Sequence, residues 1–172
     1  MIIVFGSINM DMNVDVKSFP QAGETVLAHS YTLTPGGKGA NQALASARMG
    51  AKTALVGKVG DDAAGLRILN YLKRHEVMTS GVAKSEFLPT GMATVFKNKQ
   101  GENSIIVASG ANAEVSEAQV PTDILHNKNV LLTQMEIPLE QNAIVMKRAY
   151  DTGARVVLNL APAGEVPKQL FA

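Results

Sequence analysis

The chain has 172 residues, 46 % of them hydrophobic and 18 % charged, with 16 basic against 15 acidic side chains and no cysteine. That length suits one domain, and the charged fraction, below the usual ~25 %, goes with a well-buried sheet. Balanced charge without a basic tract argues against a nucleic-acid partner, the lack of cysteine excludes disulfides and thiolate chemistry, and no apolar run reaches the ~18 residues of a membrane span.

Residues 2–5, "IIVF", form a continuous apolar run closed by Gly6, as expected of a strand buried on both faces. No basic n-region with a longer apolar stretch precedes it, so no secretory leader is expected and the location expected is cytoplasmic. "GSINMD" follows and brings Asn9 and Asp11 just past that strand. Ser7 lacks a G-x-S-x-G context and is not expected to be a hydrolase nucleophile. Residues 12–34 hold short strand-like pieces broken by Pro20 and Gly23.

"TPGGKGANQA", residues 34–43, looks like a phosphate loop but satisfies no phosphate-loop rule. Lys38 is followed by Gly39 rather than Ser or Thr, and Gln42 stands where the dinucleotide fingerprint needs glycine. A helix is predicted from about Gly37, with Ala40, Ala43, Leu44 and Ala47 on one face and Gly50 ending it. "KTALVGKVG" reads as the next strand. "DDAAGLRILNYLKRHE" reads as the next helix, its aspartates at the positive dipole end and Leu66, Leu69 and Leu72 forming its apolar face.

Residues 90–98 and 101–109 flank a polar Lys-Gln-Gly turn and predict a β-hairpin. Together with residues 12–34 they predict a small sheet apart from the main layer. "VLLTQ" and "RVVLNL" then return as buried strands around a helix whose core face would be Leu139, Ala143, Met146 and Tyr150, with Gly153 ending it. The alternation of strands and helices predicts an α/β fold with a largely parallel sheet.

In such sheets ligands bind beyond the carboxyl ends of the strands. Asn9, Asp11, Lys38, Asn41, Glu136 and Asn159 all fall at such positions. An ionised Asp11 can accept from two adjacent hydroxyls, whereas Asn9, Asn41 and Lys38 supply donors. Gly36, Gly37 and Gly39 would let a ligand reach the free N–H groups of the helix. This kit suits a polyhydroxylated ligand better than a phosphate. Plainer readings stand beside it: Gly-Gly as ordinary turn chemistry, Asp11 as a turn cap, and Glu136 as an acidic first helical turn. His29, His75 and His126 have no metal-ligand spacing, and the methionines fit core filling.

The stretches "GSINMD", "PGGKGANQALASARMGA", "VGKVGDDAAG", "TGMATVF", "GENSIIVASGAN", "QMEIPLE" and "NLAPA" resemble, in order, the ribokinase-like (PfkB) carbohydrate kinases. The resemblance implies a doubly wound α/β domain with a β-sheet lid, residues 1–172 being its N-terminal part and the lid lying at about 12–34 and 90–109. It implies sugar binding by Asn9, Asp11, Gly37, Lys38, Gly39, Ala40, Asn41 and Glu136, with Ala93 and Ile105 as lid contacts. The implied reaction is ATP-dependent phosphorylation of a sugar, D-ribose at its 5-hydroxyl foremost, with Mg2+ and K+ as cofactors and a homodimer formed through the lid strands. Kinases for fructose or a 2-keto-3-deoxy sugar acid are the alternatives. The family's D-T-x-G-A-G-D signature, which carries the catalytic base and the anion hole, does not occur in these residues, so no catalytic residue is expected among them. A truncated sugar-binding fragment without catalysis is the reading from another class.

Overall fold

The computed structural model describes residues 1–165. Its main sheet has five parallel strands in the order β5-β4-β1-β8-β9. They are β1 (Ile2–Phe5), β4 (Thr53–Gly60), β5 (Val77–Ser85), β8 (Val130–Thr133) and β9 (Arg155–Leu158). β1 lies at the centre, pairing Ile2 with Thr53 on one side and with Val130 on the other. Alternation along β1 gives the sheet its two cores. Ile3 and Phe5 join Leu131, Val145, Met146 and Ala149 under α3 (Leu139–Asp151). Val4 joins Ala43, Leu55, Ile68 and Leu72 under α1 (Lys38–Arg48) and α2 (Ala63–Arg74). Burying a large apolar side chain of this kind contributes about 1.5–3 kcal/mol.

A second sheet has the order β3-β2-β6-β7. β2 (Asn9–Asp15) pairs antiparallel with β3 (Ser30–Gly36) and parallel with β6 (Gly91–Lys97), and β6 pairs antiparallel with β7 (Asn103–Ala108). The first two of these strands reach beyond the expected limits, beginning at Asn9 and ending at Gly36, and residues 16–29 between them carry no strand.

Helix ends follow their punctuation. Gly50 N–H bonds to Ala47 O at 2.8 Å and Ala51 N–H to Ser46 O at 3.1 Å, a Schellman closure repeated at Gly153 and Ala154 after α3. Asp62 caps α2 by accepting from Gly65 N at 2.8 Å, and Asp61 pairs instead with Lys84 at 2.7 Å.

Helix faces are the main departure. α2 buries Gly65, Ile68 and Leu72, while Leu66 stays 60 % exposed, because Gly65 fits the helix closely against Gly60 and Thr90. α3 buries Asn142, Val145, Met146 and Ala149, and Tyr150 turns outward. Asn142 can be buried because it accepts from Thr133 Oγ1 and donates to Gln134 O at 2.6 Å. β9 alternates exposed and half-buried residues rather than being buried, having β8 as its one strand neighbour among the described residues. β5 had no counterpart in the sequence reading, since Lys84, Thr79 and two serines interrupt its apolar pattern.

Candidate functional site

A cleft of about 720 Å³ opens beyond the carboxyl ends of β1 and β8, under the second sheet. This is where the strand order reverses, since the chain runs from β1 outward through β4 to β5 and then returns to β8 on β1's other side. The second sheet supplies one wall. Period-two alternation and strand register put Asn9 and Asp11 of β2, Ala93 and Val95 of β6, and Ile105 and Val107 of β7 on the same face, and all six line the cleft. Gly37, Lys38 and Asn41 from the start of α1, and Glu136 with Pro138 from the loop after β8, form the opposite side.

Asp11 is the least satisfied group of the site. Its Oδ1 is buried and accepts no hydrogen bond among the described residues. The carboxylate sits where a side chain on Gly36 would stand, so glycine at that position is what gives it room. Burial, and secondarily the negative charge of Glu136, push the Asp11 carboxyl above its ordinary range, against a smaller opposing pull from Lys38.

Glu136 is the reverse case. Burial acts to raise it, but donors outweigh burial and hold it below the usual carboxylate range. Its Oε2 accepts from Ser7 Oγ at 2.6 Å and from Lys38 N at 3.0 Å, and its Oε1 faces Lys38 Nζ at 3.1 Å.

These contacts correct the expected role of the glycine stretch. The opening N–H groups of α1 are not free for a ligand. Lys38 N is taken by Glu136, Gly39 N by Ser7 Oγ at 3.3 Å, and Ala40 N by Ser7 O at 2.9 Å. The glycines serve the approach of backbone to backbone. A Cβ on Gly39 would stand 2.7 Å from both N and O of Ser7, and Gly37 adopts φ 87° beside the backbone of residues 7–9. Gly39 and Ala40 are accordingly buried and do not line the cleft, and neither does Asn159, whose N–H bonds to Thr133 O at 2.9 Å. Asn9 and Asp11, expected just past β1, stand on a strand of the second sheet.

Two residues escaped the sequence reading. Ser7, whose sequence context is not that of a nucleophile, is fully buried and joins Glu136 to α1. Asn112, 1 % exposed, follows β7 in a 3-10 turn and touches both Ile8 and Asn9. The "GAN" triplet after a strand was its one signal, and nothing local shows what its amide reaches.

Comparison with known proteins agrees with this fold. Residues 1–170 match the pfkB family of carbohydrate kinases. The chain is 42 % identical over 164 residues to the ribokinase of Bacillus subtilis, covering 94 % of this chain and 56 % of that protein. It is 39 % identical over 170 residues to the ribokinase of Schizosaccharomyces pombe, covering 94 % and 54 %. The solved ribokinase of Thermotoga maritima superposes with a TM-score of 0.90 at 34 % identity, over 99 % of this chain and 56 % of that one. The structure of Arabidopsis thaliana ribokinase complexed with ribose and ATP gives 0.86 at 33 % identity, over 98 % and 56 %. The chain thus spans about half the length of the curated relatives it matches. It belongs to the pfkB family of carbohydrate kinases.

Proposed function

We propose that this pfkB-family chain supplies the sugar-binding half of an ATP-dependent kinase that phosphorylates D-ribose at its 5-hydroxyl. The observation that carries the proposal is the buried, unpartnered Asp11 Oδ1 beside Asn9 on one strand facing the cleft. An ionised carboxylate and an amide two residues apart on one strand face match adjacent hydroxyls of a sugar. Ala93, Val95, Ile105 and Val107 give the apolar cover that a sugar ring's C–H surface requires. Ribokinases are prominent among the relatives, and one of them was solved with ribose and ATP.

ATP, Mg2+ and K+ are assigned to no residue of this chain. Lys38 is neutralised by Glu136, the opening N–H groups of α1 are occupied, and no three metal-ligating side chains cluster among the described residues. The part proposed for these residues is to bind and orient the sugar.

No helix among the described residues is long and apolar enough to cross a membrane. A cytoplasmic location and a homodimer through the second sheet complete the proposal. Its outer strands β3 and β7 each have one neighbour among the described residues, and Tyr31 and Ile106 stand exposed upon them.

The test uses the full-length protein. Ribose should bind in calorimetric titration and should drive ADP release in a coupled assay ahead of fructose and a 2-keto-3-deoxy sugar acid. Asp11→Ala should weaken ribose binding at least ~10-fold, because a hydrogen bond to a charged group contributes ~1.5–3 kcal/mol. Unchanged affinity in that variant, or a clear preference for another sugar, would overturn the assignment.

A further inference from the structure

We infer that Asn112 is a positioning residue that fixes which end of the Asn9 amide faces the cleft, and so sets the hydrogen-bond polarity this wall offers a ligand. The inference rests on the sugar-binding reading for its ligand but not for its geometry.

Asn112 is 1 % exposed and Asn9 3 % exposed. Ile8 N–H donates to Asn112 Oδ1 at 2.8 Å, and Asn112 Nδ2 donates to Ile8 O at 3.1 Å. A backbone N–H can only donate and a carbonyl can only accept, so this pair of bonds leaves the Asn112 amide a single orientation. Its Nδ2 then also donates to Asn9 Oδ1 at 2.7 Å. That bond turns the Asn9 acceptor inward and leaves its Nδ2, a pure donor, for the cleft that Asn9 lines. The packing holds the arrangement shut, because any side chain on Gly91, which pairs with Asn9 across the strands, would overlap both Asn9 Oδ1 and Asn112 Nδ2.

Asp11, two residues along, offers an acceptor with no protein partner. The wall therefore presents donor and acceptor in a fixed order. A ligand group beside Asn9 must accept, and its neighbour beside Asp11 must donate. Adjacent hydroxyls meet this demand by rotating their protons in opposite senses. Asn112 also borders the cleft, but its Oδ1 is taken by Ile8 N–H and its Nδ2 by Ile8 O and Asn9 Oδ1, so it acts on a ligand through Asn9.

The informative variant is Asn112→Asp, nearly isosteric. Its carboxylate keeps the bond from Ile8 N but loses the one to Ile8 O and repels Asn9 Oδ1, so the Asn9 amide should rotate, donate inward and turn its acceptor to the cleft. Side-chain amide exchange followed by NMR on the full-length protein reads this directly, with no ligand present. In the parent the Asn9 amide protons should exchange quickly and those of Asn112 slowly, and in Asn112→Asp the Asn9 protons should become slow. An Asn9 amide already protected in the parent, or unchanged in the variant, overturns the inference. Ribose titration is the second arm, with an expected loss of at least ~10-fold in Asn112→Asp. If that variant does not fold, Asn9→Asp makes the same reversal at the cleft surface while still accepting from Asn112. A loss of similar size there, with an unchanged urea melt, supports the inference, whereas undiminished affinity overturns it. Failure of the parent protein to bind ribose overturns the sugar reading instead, and the exchange arm still decides the role of Asn112.

Discussion

Strands β1 and β7 contain the same tripeptide, Ile-Ile-Val, at residues 2–4 and 105–107. In β1, Ile3 and Val4 are fully buried; in β7, Ile105 is 58 %, Ile106 65 % and Val107 49 % exposed. The side chains are identical, so the difference lies in their neighbours. β1 is paired on both edges and covered by helices on both faces, whereas β7 is paired once among the described residues and turns Ile105 and Val107 toward the cleft. The same apolar surface drives folding in one place and remains for a ligand in the other.

The contrast is broken most forcefully by truncation. Phe5→Ala, at the end of β1 with no exposed surface, should cost about 3–5 kcal/mol in urea unfolding. Ile105→Ala should change stability by less than ~1 kcal/mol, with its effect appearing in ribose affinity instead. Comparable melts for the two variants would show that β7 is part of the core after all.

A smaller effect is expected where the cleft meets the main sheet. Gly39→Ala places a Cβ against the backbone of residues 6 and 7, which has no rotamer with which to yield. It should cost about 1–3 kcal/mol and loosen the bonds from Lys38 N and Gly39 N to Glu136 and Ser7. If those glycines served only to admit a ligand, the same change would leave the melt where it was and weaken binding alone.

Legibility in the sequence followed this same division. β1, α1, β4 and the β6–β7 hairpin could be read because apolar runs and helix-ending glycines are local signals. The grouping of Asn9, Asp11, Lys38, Asn41 and Glu136 was readable because each adjoins the end of a main-sheet strand or the turn into α1. The purpose of Gly36 and Gly39 was not, because it depends on Asp11 and Ser7, which only the folded chain brings beside them. Asn142 and Asn112 defeated periodicity for a similar reason. A polar side chain is buried wherever distant backbone satisfies it, and that partner is invisible in a helical or strand repeat. Tyr150 and Leu66 were placed inward on apolar character alone, and packing chose the neighbouring residues.

The smallest effect is one of sign, and it sets the two cleft carboxylates against each other. Asp11 has a folded-state pKa above its ordinary 3.8, raised chiefly by burial. Its ionisation therefore works against folding at neutral pH, and that cost disappears as pH falls through the raised value and then below 3.8. Glu136 lies below its ordinary 4.5 because Ser7 and Lys38 outweigh its burial. It supports folding above 4.5, and the support fades as pH falls through the lowered value. Asp11→Asn should thus be more stable than the parent at pH 7, with an advantage that shrinks toward pH 4, while Glu136→Gln should be less stable at pH 7, with a deficit that shrinks in acid. The Lys38 side chain is 38 % exposed, so solvent screens the site and each change should stay around 1 kcal/mol or less. Urea melts from pH 7 to below both ordinary values, 3.8 and 4.5, measure both slopes. Slopes of the same sign would mean that a donor absent from the present hydrogen-bond pattern satisfies Asp11, and the reason for expecting a ligand hydroxyl at its Oδ1 would be gone.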